Sequence, residues 1–429
     1  MLRDRRCRQR LVVRASLALL VVVAAACDDP DDAAPTSTEP EINIVTQTTE
    51  VERESDGILR IGLLVPRSGD GAEIGQSLDD AVSRAVGAIN AAGGFGGATV
   101  EIVEADEGAN PTTAREAIQG LIQRRVDAVV GPTSSIVALG VLGDLMAGDV
   151  LTCSPTASAR ALDDYPGSDL FFRTVPSDSL QAAAIARLAE QTGARTAAVA
   201  YLDDVYGRPL AEATMTALEA SGLSVAEFGF DDSEETFVAT ATDLVASEPG
   251  VIAVIGDADA GIMLLSAIGE VTGQGLDGQA VPDIVINGAM RRPSSPQLIE
   301  SLPSDVRERI QGVGLMAFQP GGELAGPYAT NAEDCVNLIA LAAVQAGADD
   351  PQTMAEEISE VSGSGVACGV YADCLQLLSA NRNIDYDGTG GSLQIGMEGD
   401  PQVARFEVFT FDPAGLDQSN GRILTITPP

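Results

Sequence analysis

From Leu59 onward, short runs of consecutive apolar residues alternate with longer stretches whose apolar positions recur every three or four residues. "LRIGLLVP" predicts a buried strand. The stretch after it places Ile74, Leu78, Ala81, Ala85, Ile89 and Ala92 on one helical face, and Gly93-Gly94 stops the helix. "ATVEIVEADE" predicts the next strand and "PTTAREAIQGLIQRRV" a helix that opens on proline. "DAVVGP", "SSIVALGVLGDLMAGD" and "VLTCSP" repeat the cycle. Continuous apolar strands separated by helices imply a parallel sheet covered on both faces.

The alternation restarts after "LFFRTVPSD". Helix "SLQAAAIARLAEQTG" leads into "TAAVAYLDD", "YGRPLAEATMTALEASG" into "SVAEFGF", and then come "VIAVIGD", "AGIMLLSAIGEVTG" and "DIVINGAM". A second α/β lobe of similar plan is expected. Beyond the helix "NAEDCVNLIALAAVQAGA" and two shorter helical stretches, "GSLQIG", "VARFEVFTFD" and "ILTITPP" predict strands joined by turns. No apolar segment after Ala26 is long enough to cross a membrane.

The start of the chain differs in kind. Six arginines up to Arg14 precede an apolar segment from Ala15 to Ala26, too short for the roughly 30 Å of hydrocarbon in a bilayer. Basic and apolar regions in that order predict a signal peptide over 1–26. Ala24, Ala25 and Ala26 lead into Cys27, and the stretch resembles the lipobox of bacterial lipoproteins, with Ala24 where leucine is usual. That resemblance implies cleavage before Cys27 and a diacylglycerol on its thiol. An ordinary secretory signal with a chance cysteine is the alternative, and either one exports the protein. In a Gram-negative envelope Asp28 would imply retention at the inner membrane. Residues 28–57, rich in Asp, Glu, Pro and Thr, predict a disordered acidic tether.

Composition narrows the function. The formal net charge is -38, with 63 acidic residues against 25 basic ones, and the signal removes six arginines but one aspartate. Lysine is absent. Nucleic acid and anionic lipid surfaces are therefore excluded as partners on charge grounds. With no histidine, the commonest general base and metal ligand is missing. A GxxxxGK[ST] phosphate loop requires lysine and is excluded too. Neither a metal nor a cofactor is expected, and adjacent aspartates such as Asp163-Asp164 and Asp203-Asp204 fit a solvated acidic surface better than acid–base chemistry. Of the six cysteines, Cys368 and Cys374 in "CGVYADC" suggest a local disulfide in an exported chain. Cys153, in an apolar strand, is expected as a buried small hydrophobe, and its pairing with Cys335 stays open.

Taken together, "RIGLLVPRSGDGAEIGQSLDDAVSRAVGAINAAGGFGG", "DAVVGPTSS", "SPTASARAL", "FFRTVPSD", "YLDDVYGRPLAEA" and "IDYDGTGGSLQIGMEGDP" resemble, in order, the branched-chain amino-acid binding proteins of the type I periplasmic solute-binding family. The resemblance runs from about Ile58 to the C-terminus. It implies two Rossmann-like lobes joined by three crossings, near Pro176, Gln319 and Gly391, that close over a ligand. The N-terminal lobe would comprise 58–176 and 320–390, and the C-terminal lobe 177–319 and 391–429.

Residue chemistry and resemblance meet at several loops. "GPTSS" ends a strand and opens a helix, so Ser134 and Ser135 sit where free N–H groups attract an anion, or where a plain N-cap serine would sit. The resemblance implies a ligand-carboxylate role for Ser135, and carbonyl and hydroxyl contacts from Thr156, Ala157 and Ser158. It also implies a cleft-lining role for Tyr206, beside which one of Asp203 and Asp204 faces the cleft or caps a helix. The family's acidic partner for the ligand ammonium aligns with Asn287, a family tyrosine with Ile74, and paired aromatics with "GDADAG", which brings Asp257 and Asp259. The carboxylate end of the site is thus kept and the ammonium and side-chain ends are rewritten.

The expectation is a monomeric, lipid-anchored, extracytoplasmic receptor. It would capture an amino-acid-like or carboxylate-bearing small molecule and deliver it to an ABC importer permease. A ligand sensor that signals through a separate membrane partner is the alternative from another class. An enzyme is not expected, since no histidine or lysine base exists to activate a nucleophile.

Overall fold

A computed structural model describes residues 53–273, 281–292, 295–315, 326–388 and 391–428. The signal segment, Cys27, the tether as far as residue 52 and the expected crossing at Gln319 lie outside the described residues.

Five strands form the first sheet: β1 Arg60–Val65, β2 Glu101–Asp106, β3 Ala128–Val130, β4 Leu151–Ser154 and β5 Phe171–Arg173. Their order is β2-β1-β3-β4-β5 and every pairing is parallel. Alternation along β1 sends Ile61, Leu63 and Val65 into one core with the helices Ala72–Ala91 and Ala329–Ala346. Leu64 goes into another, against Pro111–Gln123 and Ser135–Ala147. Both faces are covered, as the unbroken apolar runs required.

The second sheet begins with β6 Thr196–Leu202, β7 Ser224–Phe230, β8 Val251–Ile255, β9 Asp283–Asn287 and β10 Ile310–Gly314. A small sheet of β11 Val366–Cys368, β12 Ile384–Gly388 and β13 Gly391–Ser392 belongs to the first lobe's core. Strands β14 Ala404–Phe411 and β15 Asp417–Ile426 then complete the second sheet, in the order β15-β14-β10-β9-β8-β6-β7. Within this second sheet, only the β10–β14 and β14–β15 pairings are antiparallel. This is the two-lobed α/β architecture with parallel-rich sheets that the pattern predicted.

The chain leaves the first sheet at Arg173 and reaches the helix Asp178–Glu190, which packs in the second lobe. A further crossing falls between Gly314 and Ala329. The last one comes later than Gly391. Ile395 N–H donates to Ser362 Oγ at 3.2 Å, and Arg173 N–H donates to Gly399 carbonyl at 2.9 Å. The chain enters the second sheet only at Ala404, because its Asp400 is held by the buried Arg173 guanidinium.

Residues 53–57, tether by composition, are hydrogen-bonded to the first lobe. Arg53 N–H donates to Asp149 at 3.1 Å and its guanidinium to Val126 carbonyl, while Asp349 N–H donates to Ser55 Oγ at 3.3 Å. Cys368 and Cys374 are disulfide-bonded, as their spacing suggested. Cys153 is not a free buried thiol: it is bonded to Cys335, 182 residues away, tying β4 to the helix Ala329–Ala346.

Candidate functional site

Loops at the carboxyl ends of β3, β4, β6, β8 and β9 carry the expected site residues, which is where open parallel sheets gather ligands. Gly131 opens the first of them with φ +119°, and a Cβ there would lie 2.1 Å from Leu64 carbonyl, so only glycine fits. Ser134 then caps the helix Ser135–Ala147, its side chain accepting from Val137 N–H at 3.5 Å.

The loop's amides are not all open. Glu107, almost fully buried, accepts from Thr133 N–H and Thr133 Oγ1, both at 2.7 Å, and from Ser134 N–H at 2.9 Å. Burial pushes the Glu107 pKa up, and those three donors oppose the shift. One internal carboxylate therefore fills part of the anion seat that the sequence suggested. The N–H groups of Ser135 and Ile136 remain without acceptors among the described residues, leaving a narrower seat at the helix start.

Beside it runs "SPTAS". Thr156 Oγ1 donates to Thr133 carbonyl at 2.7 Å and Ser135 Oγ accepts from Ala159 N–H at 3.2 Å, so the two loops form one surface. Ala157 has no free polar group to offer: its N–H goes to Ser154 Oγ at 2.9 Å and its carbonyl to Arg173 at 3.2 Å. Arg173, fully buried, also holds Ala159 carbonyl, Asp163 and Asp400.

On the second lobe, Asn287 does not present a free amide to a ligand. Its Oδ1 accepts from Gly256 N–H at 3.2 Å and its Nδ2 donates to Tyr206 Oη at 3.1 Å, with the side chain fully buried. Asp257 is an N-cap, accepting from Ala260 N–H at 2.9 Å ahead of the helix Ala258–Gly273. Asp204 accepts from Tyr206 N–H at 3.0 Å and Gly207 N–H at 2.6 Å, while Asp203 pairs with Arg208. Ile74 packs half-buried against the first lobe's core.

Two residues that sequence reasoning passed over complete the cluster. Asp178 is 2% exposed; its backbone N–H donates to Ser158 carbonyl at 2.8 Å and its carboxylate takes a bond from the Ser158 side chain, yet Oδ1 has no partner. Burial drives its pKa up to about 6. It lies close enough to Tyr206 and Tyr328 that its charge adds to the burial raising both phenols. Tyr328 precedes the helix Ala329–Ala346 at φ 58°, a left-handed conformation costly for a bulky residue and found where surrounding structure enforces it. The one available signal for Asp178 was its place after "FRTVPS" at a crossing; Tyr328 had none.

Ser158 of the first lobe thus meets Asp178 at the start of the second-lobe helix Asp178–Glu190, the charge of Asp178 reaches Tyr206 and Tyr328, and Asn287 holds Tyr206 from within the second lobe. No group of three or more Cys, Asp or Glu able to hold a metal occurs among the described residues.

Residues 58–286 match the periplasmic binding protein family. The chemotactic signal transduction system substrate-binding protein BasB of Halobacterium salinarum is 27% identical over 372 residues, 83% of this chain and 88% of that one. A leucine-, isoleucine-, valine-, threonine- and alanine-binding protein of Pseudomonas aeruginosa is 26% identical, across 70% of this chain and 82% of its own length. Among solved structures, the branched-chain amino acid transporter substrate-binding protein LivJ of Streptococcus pneumoniae, in complex with isoleucine, superposes with a TM-score of 0.65 at 19% identity, over 86% of this chain and all of that one. A Rhodopseudomonas palustris ABC-transporter solute-binding protein in complex with benzoate gives 0.63 at 14%, over 86% and 96%.

Proposed function

The chain belongs to the periplasmic binding protein family, and we infer that it is a solute receptor that captures an α-amino carboxylate between its lobes. The carboxylate end rests on the N–H groups of Ser135 and Ile136, and the ammonium rests on Asp178. Asp178 carries this reading. A carboxylate buried with an orphan oxygen costs several kcal/mol unless a cation or proton joins it. A ligand ammonium inside the closed cleft supplies that cation and restores the charge which Asn287 lacks. Closure follows from contacts to both lobes, which favour the closed state by differential affinity.

Delivery to an ABC importer permease, with the receptor held at the outer face of the membrane through Cys27, is the fuller form of this reading. Relatives named for amino-acid binding and transport support it. A sensing role through a separate membrane partner is the second reading, favoured by the chemotactic relative that spans most of both chains.

Calorimetric titration of the purified full-length chain with a panel of L-amino acids and their deaminated carboxylates tests the site. Wild type is expected to bind at least one amino acid, and Asp178→Asn to lose it by about 100-fold or more while keeping any carboxylate that lacks the amine. Undiminished amino-acid binding by Asp178→Asn sinks the assignment.

A further inference from the structure

Three segments that lead into the site meet at one buried point of the first lobe. The first is the end of β4. Cys153 carbonyl accepts from Gly131 N–H at 2.8 Å, where "GPTSS" begins, and Ser154, next in the chain, opens "SPTAS". Ser154 Oγ donates to Pro132 carbonyl at 2.7 Å and accepts from Ala157 N–H at 2.9 Å, so Cys153 and Ser154 together hold both ligand loops. The second segment is the first crossing. Thr174 N–H donates to Ser154 carbonyl at 3.2 Å, and the chain runs from there directly to Asp178, whose own N–H is bonded to Ser158 carbonyl. The third is the start of the helix Ala329–Ala346, which Tyr328 precedes.

On that helix Asn331 and Cys335 share a face, as i and i+4 positions do. Asn331 and Thr174 exchange two bonds: Thr174 Oγ1 donates to Asn331 carbonyl at 2.8 Å, and Asn331 Nδ2 donates to Thr174 carbonyl at 2.9 Å. Thr174 Oγ1 also lies 3.5 Å from Cys335 Sγ, and Cys335 is bonded to Cys153. A closed circuit results: from β4 through the disulfide to the helix, through Asn331 to Thr174, and through Thr174 N–H back to Ser154. Cys153, Ser154 and Cys335 are fully buried, and Thr174 and Asn331 nearly so. The other disulfide joins β11 to the helix Tyr371–Ser379, neither of which carries a residue of the site.

We propose that the Cys153–Cys335 disulfide and the Thr174–Asn331 pair form a positioning brace that sets the spacing between the anion seat and Asp178, so that ligand affinity, and not stability alone, depends on it. The inference rests on the reading that the ligand lies between that seat and Asp178. The seat belongs to loops hung on Cys153 and Ser154, whereas Asp178 opens the second-lobe helix that the chain reaches through Thr174. A ligand bridging the two binds tightly only if their separation is preset, since a loose site adds an ordering cost to binding. Tyr328 fits the same account. A bulky residue at φ 58° persists where its surroundings enforce it, and the braced helix directly after it supplies that enforcement.

Calorimetric titration of the full-length chain with the standard L-amino acids separates positioning from bulk stability, at a temperature where circular dichroism shows every variant folded. Cys153→Ser with Cys335→Ser is expected to lower affinity for the best-bound amino acid about 10-fold or more. Cys368→Ser with Cys374→Ser, which also loses a disulfide, should stay within about twofold of wild type. Thr174→Val is expected to lower affinity about threefold or more, and Thr174→Ser, which keeps the hydroxyl, to match wild type. Equal affinities in the two cysteine pairs, or wild-type affinity in Thr174→Val, overturn the brace; the threonine variants decide it alone if Cys153→Ser with Cys335→Ser does not fold. Should wild type bind none of the amino acids, the receptor reading fails, and amide hydrogen exchange of the ligand-free chain decides the brace. Exchange in Thr174→Val that rises selectively over 131–136, 154–159 and 328–331 supports it, and exchange like wild type overturns it. Amino-acid binding that survives Asp178→Asn removes the ammonium partner and leaves the brace to the ratio between the cysteine pairs.

Discussion

Asn287 Nδ2 donates to Tyr206 Oη at 3.1 Å, and this contact removes the amide from ligand duty while fixing the phenol at the cleft. With Asn287 Oδ1 engaged by Gly256 N–H, the pair acts as an internal brace of the second lobe. Tyr206→Phe is expected to strand a fully buried N–H of Asn287 and to cost about 1–3 kcal/mol, read from the urea midpoint at constant m-value. A midpoint equal to wild type would remove the brace from the account.

Asp178 makes stability depend on pH with a definite sign. Its carboxyl is pushed up to about 6 by burial, from an ordinary 3.8, so the folded chain holds that proton more tightly than the unfolded one. The ligand-free protein should gain roughly 3 kcal/mol from this group as pH falls from above 6 towards 4. Asp127, raised by burial to about 7, adds a slope of the same sense in both proteins. The informative quantity is therefore wild type minus Asp178→Asn: the variant should be the more stable at pH 8, with the gap closing near pH 4. A gap independent of pH contradicts the assignment. Amino-acid affinity of wild type should also weaken as pH drops below 6, since the protonated carboxyl no longer faces the ammonium.

Two disulfides of very different span should contribute unequally. Closing a loop of 182 residues removes far more unfolded-chain freedom than closing one of 6. Replacing both Cys153 and Cys335 by serine is expected to cost roughly 3–5 kcal/mol, and the same change at Cys368 and Cys374 about 2 kcal/mol. Thermal unfolding of the two double variants, with and without reductant, gives the comparison, and equal losses would rule out loop closure as the main source of their stabilisation.

Arg173 holds Asp163, Asp400 and the carbonyls of Ala157 and Ala159 from a fully buried position, so it links the ligand loop to the last crossing. Arg173→Met leaves two carboxylates without their cation and should destabilise by about 3–5 kcal/mol. Arg173→Lys keeps the charge but not the fork, and is expected to fold with weaker ligand binding. Unchanged affinity in the lysine variant would confine Arg173 to a purely structural part.

Local pattern was enough for the architecture. Apolar runs such as "IGLLVP" and "VIAVI" have no polar face to turn to water, so they require a sheet covered on both sides. Helical periodicity around Leu78 and Ile89 supplied the cover. The strand-to-helix junction at "GPTSS" likewise located one loop of the site, where Ser134 caps the helix Ser135–Ala147. Neither pattern could say which polar atoms would be left over. That Glu107 occupies the loop amides, that Asn287 turns inward to Gly256, and that Asp178 keeps an orphan oxygen are outcomes of packing between segments tens to hundreds of residues apart. The same holds for Cys153 meeting Cys335 and for Tyr328 entering the cleft from the far end of the chain. Hydrophobic periodicity is a local property and is written in the sequence, whereas hydrogen-bond satisfaction is settled only when all partners are in place; that is why the fold was legible in advance and the charge pattern of the site was not.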